Sequence, residues 1–365
     1  MQVLDEGVAR VSLGCVGMRA LVYDRFTGPM QVKSVPDPAP PSDGVVLRVK
    51  ASGVCRSDWH AWQGHIPYVR LPNVPGHEMA GVVEEVGPAV TQWKKGDRVT
   101  TPFNLGCGHC PECRAGNEQV CDAPSMPGFL SWGSFAELVA IPHADTNLVR
   151  LPEKLDFTTA AALGCRVATS FRALVAQAQL RPGEWIAVHG CGGVGLAAIM
   201  IANAGGALAV GVDINAEALA LAKKLGAVYV LNSRAEPDLI KRIRELTRGG
   251  AHVAVDALGS PETCKNSLLS LRKGGRHVQI GIPHAPPAAE AVPMLVDAVI
   301  AYELRFIGSL GMQAHAYPAM LDMMDMGRLP VERLIHEKVS LDRAGDVLTR
   351  MTEFRGLGVT VIDHF

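Results

Sequence analysis

Short bursts of alternating apolar and polar residues occupy the first part of the chain, and the period then changes. Residues 18–23 (Met-Arg-Ala-Leu-Val-Tyr) open the first run with strand character, and 45–49, 80–86 and 98–101 follow, separated by Gly, Pro and Asp turn residues. Four prolines between 36 and 42 mark a connector. The pattern predicts a small β-rich domain over 18–170. Residues 1–17 show no clear period and are read as an N-terminal extension inclined to disorder.

After about Cys165 short apolar runs alternate with helical ones. Strands are expected at 185–189, 207–212, 228–231, 252–256 and 276–280, with helices at 196–203, 217–225, 238–247 and 261–271. Continuous apolar strands linked through helices predict a parallel sheet covered on both faces, over 171–307. Residues 308–365 hold helical patterns at 316–326 and 341–353 and a strand at 358–362. They are expected to return to the first domain. The fold class is therefore α/β, a β domain joined to a doubly wound sheet.

Composition narrows the function classes. A chain of 365 residues with 48% hydrophobic and 19% charged residues has length for two domains and material for large cores. A formal net charge of -1 and the lack of a Lys/Arg-rich run speak against a nucleic acid partner. No stretch approaches the length of a membrane span. Asp5, Glu6 and Arg10 stand where a signal peptide needs an apolar run. A cytoplasmic protein is expected, and in that compartment nine cysteines favour metal ligation over disulfides.

The cysteines fall into two sets. Cys107, Cys110, Cys113 and Cys121 follow a CxxCxxC spacing with a fourth thiol one short loop later, which can close a tetrahedral all-thiolate zinc site. An iron–sulfur cluster uses related spacings, but its usual sets carry a Cys-Pro ending or a distant fourth thiol. The second set is dispersed. Residues 53–60 (Gly-Val-Cys-Arg-Ser-Asp-Trp-His) pack a thiol, a guanidinium, a hydroxyl, a carboxylate and an imidazole together. Cys55, His77 and the distant Cys165 read as three zinc ligands with an open fourth position, the count of a catalytic site. From spacing alone the same three residues are equally compatible with buried thiols and a hydrogen-bonded histidine. Glu78 is an alternate fourth ligand or a structural carboxylate. Asp58 suits the role of accepting the second ring N–H of His77.

The third motif is Gly190-Cys191-Gly192-Gly193-Val194-Gly195, directly after a strand and opening a helix, with Asp213 ending the next strand. Gly190 allows the turn, Gly192 lets backbone N–H groups approach a pyrophosphate, and Gly195 lets the helix lie close to the sheet. Asp213 would bond the adenosine ribose and repel a 2′-phosphate, favouring NAD over NADP.

With these residues named, the chain from Met18 to Phe365 resembles the zinc-dependent alcohol dehydrogenases of the medium-chain dehydrogenase/reductase family. The resemblance implies a GroES-like β domain carrying two zinc ions, a Rossmann domain for NAD, and an active site between them. It assigns Cys55, His77 and Cys165 to the catalytic zinc, with Glu78 as the neighbouring carboxylate that can approach the metal. Cys107, Cys110, Cys113 and Cys121 fall to the structural zinc. Ser57 matches the hydroxyl that hydrogen-bonds the substrate oxygen, and His60 the outer end of the proton relay. Arg56 matches a residue at the cofactor pyrophosphate, Thr169 and Val194 positions beside the nicotinamide, and Gly281 and Ile282 a backbone segment at its carboxamide. Gly190, Gly192, Gly193, Gly195 and Asp213 complete the cofactor set, and Trp62 and Phe103 match the substrate pocket.

Departures also matter. A lysine that many relatives carry after the ribose-binding acid is Ala218 here. A C-terminal arginine has no counterpart in Gly358-Val359-Thr360-Val361. The segment between Cys121 and Cys165 lacks a long insert found in dimeric vertebrate enzymes, which resembles the tetrameric branch and implies a homotetramer. The implied activity is reversible hydride transfer between a small alcohol and NAD⁺. A polyol or other specialised hydroxyl substrate on the same scaffold is the alternative, and a non-catalytic nucleotide binder the reading from another class.

Overall fold

The structure, a computed structural model, describes residues 17–282, 295–353 and 356–365. Residues 1–16, nearly all of the extension, and Cys15 with them, lie outside the described residues. Among the described residues no helix is long and apolar enough to cross a membrane.

A six-stranded sheet fills the middle of the chain. Its order is Tyr229–Asn232, Leu208–Asp213, Trp185–His189, Ala251–Asp256, Leu271–Gln279 and Arg305–Gly308, and all five pairings are parallel. Strand alternation sorts side chains to two faces. Ile186 and Val188 pack with the helices Gly193–Ala204 and Ala216–Lys224, whereas Ala187 joins the cluster under Leu239–Leu246 and Pro261–Leu269. This is the doubly wound arrangement with the strand order of a dinucleotide-binding domain. The spare thiols Cys191 and Cys264 are simply buried in these two cores.

The second sheet is mixed. Val45–Val54 pairs antiparallel with Glu78–Val86, Leu138–Ile141 and Val359–His364, and the last pairs parallel with Ile335–Ser340. The C-terminal strand therefore closes on a strand laid down some three hundred residues earlier. A separate two-stranded sheet, Met18–Val22 with Gln31–Val35, packs on the same region.

Several elements differ from the expectations. Gln31–Val35, Leu138–Ile141, Arg305–Gly308 and Ile335–Ser340 are strands that the periodicity did not mark. Pro261–Leu269 is shorter than the expected helix, because Leu271 already pairs with Ala251, ahead of a register shift that spans Gly274 and Gly275. Pairing partners, which lie far off in sequence, decide these ends.

Two features position the site. Register pairs Gly53 with Glu78, so Cys55 just beyond one strand end faces His77 just before the other. The chain then returns through the helix Phe157–Ala161 into a single π-helical turn, Leu163–Val167, that carries Cys165. Such wide turns recur at functional sites because the extra residue re-aims a side chain.

Candidate active site

Cys55, His77, Glu78 and Cys165 present ligand atoms that all lie within 4.8 Å of one another. One carboxylate organises two of them. Asp58 Oδ1 accepts from His77 Nδ1 at 2.9 Å and from the Gly76 N–H at 2.9 Å, while Oδ2 accepts from the Cys55 N–H at 3.0 Å. Asp58 sits in the first turn of the helix Arg56–Trp62 and is fully buried. His77 Nε2 is buried and has no hydrogen-bond partner among the described residues. A buried ring nitrogen facing two thiols, its other nitrogen locked by a carboxylate, fits a metal ligand better than a core histidine.

Proton sharing in the cluster points the same way. A hydrogen bond from Cys165 holds the Cys55 thiol well below its ordinary value, against burial, and the same bond with burial pushes Cys165 well up. Burial opposes charge on His77, but Asp58 and Cys55 outweigh it and raise that imidazole well above its usual range. A cation entering the cluster would replace these shared protons.

Glu78 is not free to turn. Its Oε1 accepts from Arg166 Nε at 3.0 Å and from the Arg166 N–H at 3.2 Å, and Oε2 is paired with Arg166 Nη2. Burial pushes the Glu78 carboxyl up to about 7, with the Arg166 charge pulling it down. Arg166 is buried and carried no signal in the sequence, because an arginine next to a lone cysteine resembles any surface pair.

The other cluster is complete in itself. The sulfurs of Cys107, Cys110, Cys113 and Cys121 also lie within 4.8 Å of one another, and none forms a disulfide. Backbone N–H groups of Cys107, Cys110, Cys113 and Ala123 point at sulfurs at 3.3 to 3.4 Å, a pull toward thiolate that burial opposes at Cys113 and Cys121.

The glycine loop joins the end of Trp185–His189 to the helix Gly193–Ala204. Gly190 has φ +95°, and a Cβ on Gly195 would stand 1.8 Å from the Gly190 carbonyl oxygen, so only glycine allows this turn and this approach. Around Gly192 nothing lies within 4 Å of a Cβ position, and no side chain caps the helix there. The helix N-terminus is therefore open to a phosphate. Asp213 Oδ2 accepts from the Cys191 N–H at 2.6 Å, and Oδ1 from the N–H groups of Ile214 and Asn215. The acid thus holds the loop itself. Ser170 Oγ donates to the Val194 carbonyl at 2.9 Å, which ties the segment carrying Cys165 and the buried Thr169 to the nucleotide helix.

Residues 41–153 match the family described as "Alcohol dehydrogenase GroES-like domain", and residues 193–326 match "Zinc-binding dehydrogenase". An alcohol dehydrogenase of Geobacillus stearothermophilus is 36% identical over 92% of this chain and 96% of its own. The chain belongs to the zinc-dependent alcohol dehydrogenases. An NAD-dependent alcohol dehydrogenase of Sulfurisphaera tokodaii is 34% identical over 94% of this chain and 99% of its own. The solved alcohol dehydrogenase of Thermus sp. ATN1 covers 95% of this chain with all of its own, at 31% identity and a TM-score of 0.86. In this zinc-dependent alcohol dehydrogenase the four-thiol cluster fits a structural zinc and the Cys55/His77/Cys165 cluster a catalytic one.

The remaining expected residues of this dehydrogenase are distributed unevenly. Ser57 Oγ lies 3.8 Å from the Cys55 sulfur, and His60 Nδ1 is 3.0 Å from Nδ1 of His65, a residue without a sequence signal. Arg56 Nη1 donates to the Met351 carbonyl at 2.6 Å and its guanidinium covers the Trp59 ring. The Gly281 N–H bonds the Asp256 carbonyl at the end of its strand, and Ile282 is exposed. Phe103 is buried with its ring 6.1 Å from that of His77.

Trp62 requires a correction. Its indole N–H donates to the Gly28 carbonyl at 2.8 Å, and its ring packs with the N-terminal strands in a core separate from the zinc cluster. The ring beside His77 is instead that of Phe129, 5.0 Å away and packed with Ile66, Val69 and Met126. The sequence missed it because no motif surrounds it.

Proposed function

We propose that this protein oxidises small apolar alcohols with NAD⁺ and, in reverse, reduces the matching aldehydes or ketones. The observation that carries the reading is His77. Its partnerless Nε2 faces two thiols, and its ring is flanked by Phe103 and Phe129. Aromatic walls beside the metal position favour an apolar carbon chain or ring over a polyol, whose hydroxyls would lack partners there.

When bound, zinc supplies Lewis acidity that eases ionisation of an alcohol, and NAD⁺ supplies the hydride acceptor. The chain's own residues do the rest. Cys55, His77 and Cys165 grip the metal and leave one position open. Ser57 is the hydroxyl that accepts the substrate proton, and His60 hands it toward solvent. Gly192 and the first turn of Gly193–Ala204 would hold the pyrophosphate, with Arg56 supplying positive charge nearby. Thr169, Val194, Gly281 and Ile282 would line the nicotinamide position. Asp213 favours NAD over NADP, since a 2′-phosphate would meet its carboxylate. The division into a catalytic part, a nucleotide part over 171–307 and a returning C-terminal part belongs to this reading, as do a homotetramer and a cytoplasmic setting.

The test is a kcat/KM series over primary, secondary, aromatic and polyol substrates with NAD⁺ and NADP⁺, with zinc counted on the same sample. Apolar alcohols should lead and NAD⁺ should be preferred. A polyol as the leading substrate would overturn the proposed substrate class.

A further inference from the structure

Arg166 joins Glu78 to the first residue of the nucleotide helix without belonging to any motif. Its backbone N–H and its Nε both donate to Glu78 Oε1, and Nη2 pairs with Oε2, so one residue occupies both carboxylate oxygens. The space around the pair is closed. A Cβ on Gly53 would stand 2.2 Å from Glu78 Oε2, and one on Gly193 would stand 2.4 Å from Arg166 Cδ. The arginine stem therefore lies across the first residue of the nucleotide helix, and its head is pressed against Glu78.

Glu78 needs such a restraint. Its carboxylate belongs to the set of ligand atoms within 4.8 Å of one another, so it is a fourth donor within reach of the metal. A carboxylate there would close the tetrahedron and leave no position for an alcohol. Charge agrees with this division. Zn²⁺ with the thiolates of Cys55 and Cys165 is formally neutral, and Arg166 balances Glu78, whereas Glu78 on the metal would leave a buried guanidinium unpaired.

We propose that Arg166 is a positioning residue that holds Glu78 off the catalytic zinc and so keeps the fourth coordination position open to substrate. This rests on the catalytic-zinc reading above, and the test separates the two. The full chain is prepared with zinc kept in the four-thiol site and Co²⁺ exchanged only into the Cys55/His77/Cys165 cluster, because the visible spectrum of Co²⁺ reports ligand type and number. Wild-type protein should show bands of a tetrahedral thiolate-rich site, and their absence would sink the catalytic-zinc reading itself.

In Arg166→Leu, freed Glu78 should enter the coordination shell, changing the bands and lowering kcat/KM about tenfold or more. Arg166→Leu combined with Glu78→Gln should return the spectrum to the wild-type form, because an amide is a poor ligand. A merely structural role for Arg166 would not predict that rescue. If Arg166→Leu fails to fold, Arg166→Lys supplies the reading. With fewer donors it grips one oxygen at a time, and the spectrum should shift part of the way. A wild-type spectrum in the folded Arg166→Leu or, failing that, in Arg166→Lys would overturn the proposal, as would a shifted spectrum that Glu78→Gln leaves unchanged.

Discussion

Asp58 and His77 are joined by a 2.9 Å hydrogen bond in which neither side chain reaches solvent. The same carboxylate takes the backbone N–H groups of Cys55 and Gly76, so it sets the direction of one zinc ligand and the backbone of another. Replacing it with alanine strands three buried donors. Asp58→Asn keeps the shape but loses the charge and one acceptor. Zinc affinity at the catalytic site should fall about 10- to 100-fold in Asp58→Asn. Zinc retained per chain after dialysis against a graded chelator series measures this, with the four-thiol site as internal control.

The hydroxyl of Ser57 and the imidazole of His60 are assigned to proton movement. Ser57→Ala should lower kcat by about 10²-fold or more while zinc content and NADH binding persist. Unchanged turnover would retire the relay. His60 is in addition bonded to His65 through their Nδ1 atoms, so one ring must donate and the other accept. His65→Gln should therefore alter the pH profile of turnover with little change in KM.

The glycine turn leaves no room for side chains. In Gly195→Ala the new Cβ meets the Gly190 carbonyl, so the helix must shift off the strand end. NADH binding, followed by fluorescence, should weaken about tenfold or more, and substrate-free zinc content should stay unchanged. Tight NADH binding by this variant would contradict the assignment of the loop.

The lobe around Cys107–Cys121 is held by its metal. Cys113→Ser should reduce zinc to one ion per chain and lower the thermal midpoint by several degrees. Activity should be lost by unfolding of the lobe rather than by damage to the catalytic cluster, so brief assays at low temperature should recover part of it.

His189 closes the first strand of the parallel sheet and is wholly buried. Burial lowers it from 6.5 to about 3, with the charge of His277 acting the same way. Between those values the unfolded chain holds a proton that the folded chain refuses. Its contribution is complete above pH 6.5 and is lost on acidification toward about 3, at about 1.4 kcal/mol per pH unit. His189→Gln should flatten the acid limb of denaturant-derived stability, and parallel limbs for the two proteins would show that His189 is not the cause.

Much of this molecule is local in the chain, and that part was legible. The four thiols at 107–121 lie within one loop, and the glycine turn, its strand, its helix and Asp213 follow one another directly. Their geometry comes from neighbours a few bonds away. The period change near residue 165 marked the parallel sheet for the same reason. Asp58 could be named for His77 because a metal-bound imidazole needs an acceptor and an acid stood beside Cys55.

Other parts were set by contacts that no local pattern encodes. Gly53 pairs with Glu78 across two strands, and the π-helical turn brings Cys165 back from far along the chain; the resemblance named these ligands, but only packing makes them meet. Trp62 was matched to the substrate pocket by resemblance alone, whereas its indole N–H bonds the Gly28 carbonyl and its ring packs with the N-terminal strands. Phe129, His65 and Arg166 take their meaning wholly from what stands opposite them. The order of residues determined the chemistry available, while tertiary structure decided which groups share one cavity, because burial and pairing depend on distance in space and not in sequence.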